Sequence, residues 1–245
     1  MPWDIRFESL DFAKAFQKDR REIGSAPSLV FVDQTGLKHV TRNVFTALVE
    51  AKTTDFIFFT ASSFKHRFGD LLAPEIKLPG NVSYLEVHRL LADAYRQWAP
   101  KDVFIGHFSI KKDSNIYGLI FGSHHWRGMQ KFLEIAWKLD AVCGEADYEM
   151  EEGAVQGLMD FEHGTTGFKK RKVELFQEAL LRDIVSGALR TDSAVFLHCL
   201  VNGFLPRSAK EVYAKLRDTG SLKNERNTFP RYSDEAMKQP RELQF

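Results

Sequence analysis

Two carboxylates and a serine pair stand where apolar runs end, which is where an open parallel sheet holds its ligand. Asp11 follows residues 5–9. Asp33-Gln34-Thr35-Gly36 follows residues 28–32, and Ser62-Ser63, with Lys65 and Arg67 close behind, follows residues 55–60. A carboxylate at a strand terminus can accept from an adenine or ribose donor or orient a target amine, and a serine-flanked helix start beside Lys and Arg can hold a phosphate. Asp11, Ser62 and Ser63 are equally the residue types that cap helices. A second kind of chemistry is offered by cations: Lys169-Lys170-Arg171-Lys172 form a basic run, and Lys210, Lys215 and Arg217 recur on one helical segment. Such residues contact nucleic-acid phosphates or grooves. His124 and His125 are adjacent, so they seldom face one ion, and no nearby carboxylate or thiol completes a set. They read as a surface loop, and His66, His107 and His198 as solvated or core histidines. No metal is expected. Cys143 and Cys199 lie outside any CxxC spacing and read as buried thiols.

These groups need a scaffold, and the chain has the means to build one. Its 245 residues are 44% hydrophobic and 27% charged, which excludes disordered, collagen-like and membrane classes. The start, Met1-Pro2-Trp3-Asp4, lacks the basic and apolar stretches of a signal peptide, so the chain reads as cytoplasmic. Residues 1–168 carry 19 Lys+Arg against 23 Asp+Glu, whereas residues 169–245 carry 15 against 10. A near-neutral total of +1 thus joins an acidic body to a basic tail, where a polyanion would bind.

Along the body, short apolar runs alternate with helical periodicity, the pattern of a largely parallel α/β sheet. Residues 5–9 read as a weak strand and 11–23 as a helix. Residues 28–33 form a buried strand, and a helix capped by Asn43 follows. Residues 55–60 form the next strand, 71–82 a loop and 84–98 an amphipathic helix. Strands at 103–110 and 116–122, joined across five polar residues, form an antiparallel hairpin, and a helix follows from about Gly128 to Leu139. Residues 140–172 read as a linker, with an acidic run at 145–152 that reads as a solvated face. Helices at 173–189, at 193–202 with a stop at Gly203, and at 208–217 with a stop at Gly220 then precede an extended tail. That order suggests a winged helix-turn-helix. The expected organisation is therefore a sheet domain with linker over 1–168 and a helical domain over 169–245.

Several segments together resemble the three-Cys-motif partner family, TcmP. They are residues 28–36 (SLVFVDQTG), 54–63 (TDFIFFTASS) with Arg67-Phe68, 117–123 (YGLIFGS), 132–138 (FLEIAWK) and 144–147 (GEAD). The resemblance implies an α/β fold with a methyltransferase-like, partial Rossmann sheet closed by an antiparallel hairpin, followed by a winged-helix-like domain. It also implies a three-Cys-motif, radical-SAM-like partner protein and action on or beside DNA or RNA. On an enzymatic version, Asp33 is the catalytic, acceptor-side residue and Asp11 lines an S-adenosylmethionine pocket. Gln34, Thr35, Ser62, Ser63 and Arg67 then position substrate. On the alternative, the chain is a non-catalytic nucleic-acid-binding or interaction scaffold. Two departures matter: Gln34 and Thr35 replace the family's Pro-Phe pair, and no Gly-rich FAGPG-like loop precedes Trp3. That loop would cradle the methyl donor. The expected sheet therefore begins near its third strand, and the strand ending at Asp33 should present an apolar edge that seeks another chain. A truncated product, a split protein completed by a partner, or a branch without cofactor binding would each account for it.

Overall fold

The computed structural model describes residues 5–33, 35, 37–61, 72–78, 82–83, 85–148, 172–222 and 237–243. The chain divides into two compact units, Met1–Gly128 and Met129–Phe245. Residues 129–148 belong to the second of these units, and the expected boundary at 168/169 lies outside the described residues.

In the first unit, α1 (Phe12–Ser25) starts where the Asp11 side chain accepts the Ala13 N–H at 3.0 Å. α2 (Arg42–Glu50) is capped by Thr41, whose hydroxyl accepts the Val44 N–H, and not by Asn43. Thr41 has the extended backbone that a cap requires, whereas Asn43 is already inside the helix. α3 (Val87–Trp98) begins three residues later than the periodicity suggested. Residues 5–10 form no strand, and their alternation leaves Ile5 and Phe7 exposed, because no neighbouring strand pairs with them.

Among the described residues the sheet has four strands: β1 (Ser28–Val32), β2 (Thr54–Ala61), β3 (Phe104–Lys112) and β4 (Asn115–Ser123). Their spatial order is β1-β2-β4-β3, with β1 parallel to β2 and the two remaining pairings antiparallel. The hairpin turns at Asp113 and Ser114, where Asp113 takes a left-handed φ of 55°. Asp tolerates that conformation better than most residues.

Register sets which face is the core. Val30, Phe56, Gly122 and Ile105 form one row across the sheet, and Val32, Phe58, Ile120 and His107 form the next. These rows pack against Phe45 and Leu48 of α2 and Leu91 and Tyr95 of α3. An aromatic stack runs through the centre, with Phe56 on Phe58 at 4.8 Å between centroids and Phe45 on Tyr95 at 5.0 Å. The opposite face begins with Leu29 and Phe31, which are 63% and 59% exposed.

α4 (Trp126–Leu139) starts at the close of the first unit and runs into the second. The second unit adds α5 (Lys172–Val185), α6 (Asp192–Val201) and α7 (Arg207–Asp218). α5 stops four residues before the expected 189, with Gly187 at φ 75° just beyond it. The stops at Gly203 and Gly220 are as expected. After α6, the Gly203 N–H bonds Leu200 O and the Phe204 N–H bonds Cys199 O, and after α7 the Gly220 and Ser221 N–H groups repeat the pattern on Arg217 O and Leu216 O. Both are Schellman closures, which need the positive φ that glycine supplies.

Residues 140–148 are a tight turn and not the linker the composition suggested. The Asp140 carboxylate accepts the N–H groups of Val142, Cys143, Glu145 and Ala146 and the Cys143 thiol. Burial works to raise its pKa, but these hydrogen bonds prevail and hold it below the usual carboxylate range. Beyond this turn, residues 149–171 lie outside the described residues. The chain's last described segment folds back on α6. Thr191 and Glu242 form an antiparallel bridge, and Arg241 donates its N–H and Nε to the buried Asp192 at 2.8 and 2.9 Å. No helix among the described residues is long and apolar enough to cross a membrane.

Candidate functional site

Of the polar residues expected at strand ends, Asp33 and Thr35 stand together at the carboxyl end of β1. Asp33 follows β1 directly, and its Oδ1 accepts the Thr35 N–H at 3.1 Å and the Thr35 hydroxyl at 2.7 Å. This is an Asx turn, a local arrangement that Asp forms on its own backbone. Asp33 and Thr35 are thus brought together and both are exposed, while Asp11 is held at the start of α1 as its cap. Gln34, Ser62, Ser63 and Arg67 lie outside the described residues.

A polar group of which only His107 was noted in the sequence, as a solvated or core histidine, lies on the core face at the same end of the sheet. Thr60, His88, His107 and Ser109 are all buried there. His88 Nδ1 sits 2.9 Å from Ser109 Oγ, and its ring lies over Gly118, the position beside Thr60 on β4. The pair has the outline of a base and a nucleophile. Burial decides against that role: His88 is 0% exposed and Ser109 1%, so no substrate reaches either. Burial, reinforced by His107, also pushes the imidazole down to about 3, far from the value that suits a general base at neutral pH. His88 is a neutral core residue whose Nδ1 is satisfied by a hydroxyl. Its signal in the sequence was its place beside Val87, Leu91, Ala92 and Tyr95 on the inner face of α3.

The paired histidines are also more than a surface loop. His124 Nε2 approaches Val49 O at 2.5 Å, and its Nδ1 lies 3.6 Å from Asp102 Oδ2. Among the described residues, no group of three or more His, Cys, Asp and Glu side chains is placed to hold a metal ion.

In the second unit the cations separate by role. Lys172 turns inward: its ammonium donates to Cys143 O at 3.1 Å and Glu145 Oε1 at 2.5 Å, and lies 5.0 Å from the centre of the Phe204 ring. Lys169, Lys170 and Arg171 lie outside the described residues. On α7, the spacing i, i+3, i+7, i+10 aligns Arg207, Lys210, Ala214 and Arg217 along one stripe. The three cations are exposed, while Ala209, Val212, Tyr213 and Leu216 are buried on the other side. Arg207, which sequence reading did not single out, opens this stripe with its guanidinium 5.8 Å from the Trp137 ring centre. Lys215 projects elsewhere. It lines a shallow cleft of about 300 Å³ with Glu174, Gln177, Glu178, Leu181 and Val212.

The two cysteines are poor nucleophiles. Burial, then Asp140, pushes the Cys143 thiol up to about 12, and burial pushes Cys199 up to about 12. Neither is a thiolate at neutral pH. No known family, curated protein or solved structure matches this chain.

Proposed function

We propose that this protein is a methyltransferase-like accessory protein of the three-Cys-motif partner type, which docks on nucleic acid through its second unit. The observation that carries the docking reading is the exposed stripe of Arg207, Lys210 and Arg217 on α7. Two features of the surrounding unit support it. α6 and α7 are joined by a short turn through Gly203, as the two helices of a helix-turn-helix are. Thr191, the residue that caps α6, forms a single antiparallel bridge with Glu242, after α7, where a winged helix has its flanking strand pairing. In such modules the second helix of the pair enters the major groove. α7 is that helix here.

The first unit supports the remainder of the reading. Its strand order and directions match the second half of a methyltransferase-like sheet, in which an antiparallel last strand is inserted beside the parallel ones. Of the two carboxylates assigned on the enzymatic version, Asp11 to the methyl donor and Asp33 to the acceptor, each already serves its own backbone. Asp11 is engaged as a helix cap and Asp33 Oδ1 in its own turn. The reading is therefore of an accessory and not a catalytic subunit. S-adenosylmethionine is expected to leave the melting temperature of the purified chain unchanged. Saturable stabilisation, of about 2.7 kcal/mol at a hundred times the dissociation constant, would restore the enzymatic alternative.

The docking reading is tested by fluorescence anisotropy with labelled duplex DNA and RNA at fixed salt. Lys210→Glu combined with Arg217→Glu should weaken binding about 10- to 100-fold, because two phosphate-contacting cations become repulsive. Lys215→Glu, on the cleft side of α7, should change affinity far less. Equal losses from both variants, or none from either, would contradict the stripe as the contact surface.

A further inference from the structure

We infer that the β1 edge of the sheet is a self-association surface, on which a second copy of this chain adds its own β1 in antiparallel fashion. Backbone direction places this surface independently of the nucleic-acid reading. The Ser28 N–H donates to Thr53 O, so Ser28 faces β2. In a parallel ladder the backbone groups of successive residues alternate sides. Val30 and Val32 therefore also face β2, and Leu29 and Phe31 present their N–H and C=O groups to the open edge. The side chains of the same two residues are apolar and exposed on the face opposite the core, at the β1 end of the sheet.

That arrangement is complementary to itself. A two-fold axis through Val30 sets Leu29 opposite Phe31 of the second copy, and Phe31 opposite its Leu29. Residues that exchange both backbone bonds in an antiparallel ladder recur at every second position. Both Leu29–Phe31 pairs fall on such positions, which makes four new backbone hydrogen bonds. Each pair also sets an aromatic ring beside an aliphatic side chain on one face, a favourable cross-strand combination. The two Val30 residues meet on the other face.

Charge permits the pairing and distinguishes this edge from the opposite one. Ser28–Val32 contains no charged residue and no proline, so no like charges meet across the axis. The antiparallel sense sets the Asp33 end of each strand against the α1–β1 junction of the other, where residues 23–27 carry no charge. The formal net charge of +1 puts no large repulsion between copies. At the far edge, Arg96 donates Nε and an η nitrogen to Ile105 O at 3.1 and 2.8 Å, and β3 ends in Lys111 and Lys112. Charges of this kind keep edges from pairing. Among the described residues, one edge is guarded and the other is not. Because the unguarded edge is used once per copy about a closed two-fold, the product is a dimer and not a fibre.

The test is sedimentation velocity from about 1 µM to about 200 µM together with amide hydrogen exchange over the same range. The expected result is a doubling of mass with concentration, accompanied by slowed exchange of the Leu29 and Phe31 amides. Leu29→Pro removes an outward N–H without touching a β1–β2 bond and should weaken association at least tenfold. Phe31→Lys should do the same, and far-ultraviolet circular dichroism establishes that each variant is folded. A chain that stays monomeric throughout would overturn the proposal. So would an oligomer whose Leu29 and Phe31 amides still exchange quickly, or protection of those amides by a different protein while the chain alone remains a monomer.

Discussion

Acidification from pH 6.5 towards pH 3 is expected to destabilise the first unit by about 1.4 kcal/mol per pH unit through His88 alone. The cause is burial: His88 is 0% exposed, and burial followed by His107 lowers its pKa to about 3. The unfolded chain binds a proton near the ordinary pKa of about 6.5, whereas the folded chain refuses it until about 3. The unfolded state therefore holds more protons throughout that window, and stability falls as pH falls. Above pH 6.5 both states are neutral at this site and the contribution is flat. Integrated over the window, the loss is on the order of 5 kcal/mol, comparable to the whole stability of many domains. Urea unfolding of wild type and His88→Phe at several pH values isolates this site from the carboxylates. The variant should be less stable at neutral pH, since Ser109 loses its partner, but its pH dependence should be shallower across the window. Parallel curves for the two proteins would show that His88 is protonated or solvated in the folded chain.

Gly122→Ala should cost at least about 3 kcal/mol, more than overpacking a core normally does. A Cβ at Gly122 would lie 1.9 Å from Phe56 Cζ. Phe56 cannot yield, because it is 1% exposed, stacked on Phe58 and set edge-on against Phe45. The register makes the clash unavoidable: Phe56 and Gly122 are direct partners across β2 and β4, and both point into the core layer. Shortening the ring should relieve it. Gly122→Ala with Phe56→Leu is expected to be more stable than Gly122→Ala alone, although Phe56→Leu by itself is destabilising. Thermal unfolding of the four proteins closes a double-mutant cycle. Additive effects would mean that the two positions do not meet, and hence that β2 and β4 are paired in another register.

These two sites show what could be read from the sequence and what could not. The runs at 28–33 and 55–60 announced buried strands, because nearly every residue is apolar and β-branched or aromatic. The two-sided run at 116–122 and its polar turn announced the hairpin in the same way. Gly203 and Gly220 announced the ends of α6 and α7, since a positive φ after a helix is a local requirement. The failures share a different cause. Residues 5–9 alternate as a strand does, but alternation cannot supply a neighbour to pair with. Asp140 organises a turn through five hydrogen bonds, a property invisible in a stretch whose composition is only polar and acidic. Lys172 closes a basic run in sequence, yet Glu145, Cys143 and Phe204 engage it from segments far away in the chain. His88 and Ser109 are 21 residues apart and meet only because α3 lies across β3 and β4. For the candidate sites, the cationic character of α7 was legible but its division was not. Helical spacing separates Lys215 from Lys210 and Arg217, and the acidic cleft lined by Glu174 and Glu178 is made by another helix.

On the proposed function, the second unit holds a polyanion through the α7 stripe. Measuring the binding constant for duplex nucleic acid as a function of salt tests this most directly, since each phosphate contact contributes about −0.9 to the slope of log K against log salt. Three contacts predict a slope of about −2 to −3 for the full chain, and Lys210→Ala should make it shallower by about one. Binding that is insensitive to salt, or a slope unchanged by loss of Lys210, would contradict the claim.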